Sequence, residues 1–376
     1  MNNLTNLRHT LHKFPELSGQ ENQTSRLLHG LLKNLNPEQL FTFIGSTSLI
    51  AVFDSFREGN TVVFRADMDA LPISETTLLP YKSQIPGVSH KCGHDGHSTI
   101  LYGLADYISN NRPKTGKVIL LWQAAEETGK GAKEIINDIK PFKPTYCFGL
   151  HNLPGYEINT IVVKEGTFAS ASEGMIIDLK GIQSHASEPE KGNNPASVLA
   201  QLILDIPKFS TGINEGQLNE NYSLITIVHA NLGEPALGIS PSEARLMMTL
   251  RGSSNNTIDH LKSRISLLVD GIASSHNIGF NISFSDAFPA AVNDHEAVQI
   301  INDAASQISL KLVTIDQAFR WSEDFAHYAS ISKAAIFGLG AGVDHLPLHN
   351  PDYDFPDEII NSGVDIFKSI YSNLCF

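Results

Sequence analysis

Residues 90–97 read His-Lys-Cys-Gly-His-Asp-Gly-His, which places one thiol, three imidazoles and a carboxylate in a short stretch with two glycines. Thiolate and imidazole are ligands for borderline-soft divalent metals. The same residues would also serve as a polar loop capping a helix. A second cluster, Gln123-Ala124-Ala125-Glu126-Glu127-Thr128-Gly129, follows an apolar run. Adjacent acids can point apart, one toward a metal and one toward a water. Acids are also favoured in a helix first turn by the helix dipole, so that reading stays open. Gly149-Leu150-His151-Asn152 and Leu348-His349-Asn350-Pro351 complete the set. Each cluster alone admits a structural role. Together they hold enough ligand types, with a glutamate to spare, for a two-metal hydrolytic site.

The surrounding pattern accounts for their convergence. Thr61–Ala66 and Lys117–Gln123 are short apolar runs rich in strand formers, and Tyr146–His151 reads as a buried strand. Helical spacing marks Leu4–His12, Asn22–Leu35 and His97–Ile108. This rhythm predicts an α/β layer around a mainly parallel central sheet flanked by helices. Three of the clusters follow the C-terminal ends of predicted strands, and the fourth lies in a loop after one. In open α/β sheets sites assemble at that edge.

Near Phe168 the pattern changes. Strands are expected at Gly174–Lys180, Ser223–His229, Ala244–Arg251 and Gly279–Ser285, with helices at Pro195–Ile206 and Ile258–Ser274. The order βαββαβ is that of a ferredoxin-like α+β sandwich. After Pro289 the alternation resumes with helix Glu296–Ile308, strand Ala334–Leu339 and helix Asp357–Ser372. A smaller domain at 169–287 is therefore expected to be inserted into a larger one formed by 1–168 and 288–376.

The 376 residues suit two domains, and 41% hydrophobic against 18% charged residues allows a sizeable core. Lys plus Arg number 27 against 40 Asp plus Glu, a net charge of −13, which argues against nucleic-acid or anionic-membrane partners. Three cysteines make no disulfide framework, and the polar start at Met1–His12 has no apolar signal core. No apolar run is long enough to span a membrane. The expectation is a soluble cytoplasmic protein.

Several motifs in order carry a family resemblance: RADMDALPISE (Arg65–Glu75), CGHDGH (Cys92–His97), AEE (Ala125–Glu127), GLHN (Gly149–Asn152), SEDF (Ser322–Phe325) and LHNPDYDF (Leu348–Phe355). With Arg8–Glu16 they make the chain resemble, over nearly its whole length, the M20 metallopeptidases. The similarity is to the branch of aminoacylase, hippurate-hydrolase and auxin-conjugate-hydrolase-like amidohydrolases. That resemblance implies a di-metal exopeptidase-like catalytic domain. It implies that Cys92, His94, Glu127, His151 and His349 hold two divalent ions, zinc or manganese. It further implies Glu126 as general base and Asp69 as a carboxylate that orients the site, where a turn-capping role before Leu71-Pro72 is the alternative. Asp95 and His97 are read as helix-capping or supporting residues rather than ligands. Ser322–Phe325 would shape the pocket or start a helix. In the inserted dimerisation domain, Gly181–Pro189 resembles the family's short histidine motif. His185 would there reach a partner subunit's active site in a homodimer, or else cap a loop before Pro189. One departure stands out: many relatives have asparagine in an Asn-Val-Ile-Pro stretch where this chain has Gly238-Ile239-Ser240-Pro241.

The expected activity is hydrolysis of the amide bond of small N-acyl amino acids or similar amides. The rivals are a dipeptidase or carboxypeptidase on the same fold, a non-catalytic metal-binding module, and a cysteine-nucleophile hydrolase using Cys92. The last leaves Glu126, Glu127 and His349 without roles.

Overall fold

The computed structural model describes residues 2–42, 47–214 and 217–376. They form two compact units. One contains residues 1–168, 291–316 and 324–376, and the other 169–290 and 317–323.

The first unit is built on an eight-stranded sheet. Its order is Gln39–Thr42, Leu49–Asp54, Lys117–Gln123, Thr61–Asp67, Tyr146–Pro154, Lys333–Gly342, Ile161–Val163 and Leu312–Thr314. The four central strands run parallel. Leu49–Asp54 pairs antiparallel on one flank and Ile161–Val163 on the other. Every residue of Thr61–Asp67 is buried, which is why the strand reads as a continuous apolar run rather than an alternating one. Helices Asn22–Lys33, His94–Asn110, His295–Gln307 and Ile360–Cys375 contribute to its core, where Phe64, Phe148, Phe337 and Phe367 meet. The helix at the first cluster begins at His94, three residues earlier than periodicity predicts. The third central strand continues through His151 to Pro154.

Arg65 stands fully buried inside the Thr61–Asp67 strand. It is neutralised by Asp67 at 2.8 Å and Asp324 at 2.8 Å, and bonds Gln123 at 2.9 Å. A buried guanidinium without such partners would be strongly destabilising. Asp324 also accepts the Ala132 N–H at 2.9 Å, so the SEDF stretch braces the strand ends where a 3-10 helix, Asp324–Ser330, begins.

The second unit carries a five-stranded antiparallel sheet in the order Thr211–Asn214, Gln217–Leu232, Glu243–Gly252, Ala171–Lys180, Gly279–Phe288. Helices Ala196–Asp205 and Asn255–Ser275 cover it, with Met175, Ile177, Leu202, Leu246, Leu250 and Ile265 buried between. Alternation along Glu243–Gly252 sends Ala244, Leu246, Met248 and Leu250 inward. This is the expected βαββαβ sandwich with one extra edge strand. Residues 317–323 also belong to this unit, although they lie well beyond the expected boundary. Ser170 N–H bonds the Phe319 and Trp321 carbonyls at 3.1 and 3.0 Å, and the Arg251 guanidinium donates to the Arg320 carbonyl at 3.0 Å. Among the described residues no helix is long and apolar enough to cross a membrane.

Candidate metal centre

The centre lies in the first unit, where the parallel strands end. Past Asp67 the chain turns, and Asp69 becomes a hub. Its Oδ1 lies 3.1 Å from His94 Nδ1, while Oδ2 accepts the Ser18 hydroxyl at 2.6 Å and the Glu127 N–H at 3.0 Å. A carboxylate on Nδ1 fixes the imidazole's tautomer and leaves Nε2 as the free ligand atom. Asp69 thus contacts both a histidine ring and the backbone of the second acidic cluster.

His94 opens its helix directly after Gly93, whose φ is +93°. A Cβ at that position would stand 2.5 Å from Asn152 Oδ1, so only glycine fits. His97, one turn on, lies 2.6 Å from Asp67 Oδ1 and 2.5 Å from Asn152 Oδ1. Asp95 points away, toward Arg8 at 3.2 Å and His12 at 2.8 Å. The other Asp95 oxygen, Oδ1, accepts the Gly96 N–H at 3.0 Å in the first turn of the helix. The donor atoms of Asp67, His94 and His97 also lie within 4.8 Å of one another.

After Lys117–Gln123 the chain passes through Ala125 at φ +54° and presents the two acids. Glu127 Oε1 lies 3.7 Å from His94 Nε2 and 3.8 Å from His349 Nε2, and Glu126 Oε2 lies 4.0 Å from His94 Nε2. His151 presents Nε2 3.5 Å from Cys92 Sγ. Its Nδ1 donates to the Asn152 carbonyl at 2.9 Å, which again frees Nε2. His349, at φ +66°, is held by its N–H to the Lys91 carbonyl at 2.7 Å, and its side chain is 52% exposed.

The donor atoms of Cys92, His94 and His151 all lie within 4.8 Å of one another, as do those of Cys92, Glu127 and His349. The five expected ligands thus form two triads that share Cys92. Among the described residues, His94 Nε2 and Glu127 Oε1 are buried with no hydrogen-bond partner. Such atoms are rare in folded proteins. A cation between them would satisfy both, so the donor set fits a metal.

The electrostatics agree. Burial pushes the Glu127 carboxyl up to about 7 despite the nearby His94 charge. Burial, then the charges of Glu127 and Glu126, push the Cys92 thiol well up. His94 moves up to about 10 because Asp67 and Asp69 outweigh the burial that opposes its charge. Burial and the His97 charge hold His151 well below its usual value, as a neutral base. Divalent charge would reverse the balance for Cys92 and Glu127, since a coordinating thiol is deprotonated outright.

His185 belongs to the second unit. It lies on the short strand Ser184–His185, paired with Ile239–Ser240, and its exposed ring bonds Ser187 Oγ at 2.7 Å. At Gly238, beside that pair, a Cβ would meet nothing within 4 Å, so the missing asparagine leaves open space. Residue patterns missed Ser18, Glu21, Asp67 and Asn152 as parts of the centre. Asp67 and Asn152 lay inside the motifs RADMDALPISE and GLHN, but neither was given a role of its own.

The sequence profile of peptidase family M20/M25/M40 matches residues 63–373. The chain is 31% identical over 368 residues to the hippurate hydrolase of Campylobacter jejuni, across 97% of this chain and 94% of that protein. It is 30% identical over 369 residues to the N-acetyl-L-cysteine deacetylase of Bacillus subtilis, across 97% and 87%. A Bacillus subtilis structure described as a dinuclear metal-binding peptidase from the M20 family superposes with a TM-score of 0.82. It covers 98% of this chain and 96% of that one at 24% identity, a likeness of fold.

Proposed function

Since the chain belongs to peptidase family M20/M25/M40, we propose that it hydrolyses the amide bond of small N-acyl amino acids through water activated on two divalent cations. The observation that carries this reading is the pairing of His94 Nε2 and Glu127 Oε1. Both are buried, 3.7 Å apart, without a hydrogen-bond partner among the described residues, and sit among five donors of metal-binding type.

Amides resist hydrolysis because the carbonyl is a poor electrophile and the amine a poor leaving group. Two divalent cations, when bound, supply a water acidified toward ~7 and a polarised carbonyl. Cys92, His94, Glu127, His151 and His349 would hold them. The thiolate and imidazoles suit zinc, and the imidazole and carboxylate members also suit manganese. Glu126, 5% exposed, would serve as the general base that takes a proton from water and returns it to the departing nitrogen. Asp69 keeps His94 in the ligating tautomer. In a homodimer, His185 would reach the site of the second copy and donate to the developing oxyanion there.

Catalysis is assigned to the unit of 1–168, 291–316 and 324–376, and dimerisation to the unit of 169–290 and 317–323, which extends the expected insertion of 169–287 by a few residues and a returning segment. The long edge strand Gly279–Phe288 supports pairing with a second copy, since an unpaired edge invites another strand. If His185 serves a partner's site, mixing His185→Ala with Glu126→Gln chains restores activity, and no recovery after confirmed subunit exchange contradicts it. Three free, buried cysteines support a reducing, cytoplasmic setting.

The test is a metal-supplemented screen of N-acetyl amino acids, N-benzoyl amino acids and dipeptides, with and without chelator. Chelator-sensitive release of acid from the N-acyl substrates is expected. Turnover confined to dipeptides would instead make the chain a dipeptidase. Turnover indifferent to chelator but abolished by alkylating Cys92 would favour a cysteine nucleophile.

A further inference from the structure

The turn between the Lys117–Gln123 strand and the two acids is held in an unfavourable shape. Ala125, with φ +54°, occupies the left-handed region that residues with a side chain rarely adopt. Such a conformation persists only where its surroundings over-determine it. Here the Ala125 carbonyl accepts the Gly131 N–H at 3.1 Å, and the Glu126 carbonyl accepts the Gly129 N–H at 2.7 Å. The Ala125 N–H itself donates to Glu21 Oε1 at 2.8 Å, a residue distant in sequence and outside the part matched by the family profile.

Glu21 is fully buried. Its Oε1 also takes the Gly19 N–H at 2.8 Å, and its Oε2 the Thr47 hydroxyl at 2.5 Å. All three donors are neutral, and no cation pairs with it among the described residues. Burial raises its pKa accordingly. A carboxyl placed at that cost holds the backbone through geometry rather than through charge. The same loop grips the other acidic turn, since Ser18 Oγ donates to Asp69 at 2.6 Å and the Glu16 carbonyl accepts the Ala70 N–H at 2.8 Å.

We propose that Glu21 is a positioning residue for hydrolysis. By accepting the Ala125 N–H it fixes the left-handed turn that sends the Glu126 and Glu127 side chains to separate stations. This rests on the reading of Glu126 as base and Glu127 as ligand. Release of that N–H would let Ala125 relax toward right-handed backbone and swing both acids off their targets.

The test uses Glu21→Ala and Glu21→Gln, and Glu21→Ala combined with Ala125→Gly, in the full-length chain loaded with zinc. Glu21→Ala should lose about tenfold to a hundredfold in kcat with little change in KM, the scale of a small misplacement at a reacting centre. Amides of 124–131 should exchange faster in the same variant. Glu21→Gln should keep most of the activity, because its carbonyl can take both N–H groups while its amide donates to Thr47. Adding Ala125→Gly to Glu21→Ala should recover much of the loss and slow exchange again, since glycine adopts the left-handed turn without strain. Glu21→Asp draws the carboxyl back by one methylene, should repeat the loss and the rescue, and carries the test if Glu21→Ala does not fold. Loss without rescue by Ala125→Gly, or no loss at all, overturns the proposal. A wild-type chain inactive on every amide refutes the functional reading itself, whereas failed rescue in an active enzyme refutes only the role of Glu21.

Discussion

Asp69 and His94 meet at 3.1 Å, Oδ1 to Nδ1, and the second oxygen of that carboxylate receives the Glu127 N–H at 3.0 Å. One side chain therefore sets a ring and a backbone that belong to different elements. Asp69→Asn retains an oxygen for His94 but turns an amide donor toward the Glu127 N–H and Ser18, or the reverse if the amide flips. Metal affinity should fall about tenfold to a hundredfold, the range for removing the hydrogen-bond partner of a ligating histidine. Competition with a chelator of known affinity measures it. Unchanged affinity would reduce Asp69 to a turn residue.

Glu126 and Glu127 should separate by role. Glu126→Gln is expected to bind metal normally and lose about a hundredfold or more in kcat, the scale of general-base removal. Glu127→Gln should lose metal instead, and His349→Ala should lose at least one equivalent, because each removes a member of a coordinating triad. Elemental analysis after reconstitution distinguishes them. Equal metal content in the two glutamate variants would mean the roles are misassigned.

The strand ends that carry the centre were legible in sequence because buried parallel strands leave continuous apolar runs, as in Thr61–Asp67 and Lys117–Gln123. The thiol, imidazole and carboxylate clusters after those strands stood out by residue type, whereas the particular set of five ligands came only from the family resemblance. Gln39–Thr42 was not, since an edge strand with mostly exposed residues has no apolar signature. The support of the centre was also hidden. Ser18 reaches Asp69 and Glu21 reaches Ala125 across long sequence separations, and no local periodicity records such a pairing. The return of 317–323 to the second unit has the same cause, because backbone bonds from Ser170 define it.

Stability should carry a signature of His12. Burial opposes its charge, but hydrogen bonds to Asp95 and Glu75 prevail and raise its pKa from 6.5 to about 9. A folded-state pKa above the unfolded value contributes stability that is fully present below about 6.5 and is lost as pH rises through about 9. The difference in urea midpoint between metal-free wild type and His12→Gln should therefore shrink from pH 6 to pH 9.5. A constant difference over that window would show that His12 is neutral in the fold.

The most direct measurement titrates zinc or manganese into stripped protein while hydrolysis of an N-acyl amino acid is followed. Activity should be absent in the stripped chain and rise until about two equivalents are bound, if the Cys92–His94–His151 and Cys92–Glu127–His349 groups each serve one site. Full activity in the stripped chain, or metal bound at both sites with no hydrolysis of any N-acyl amino acid, would contradict the account.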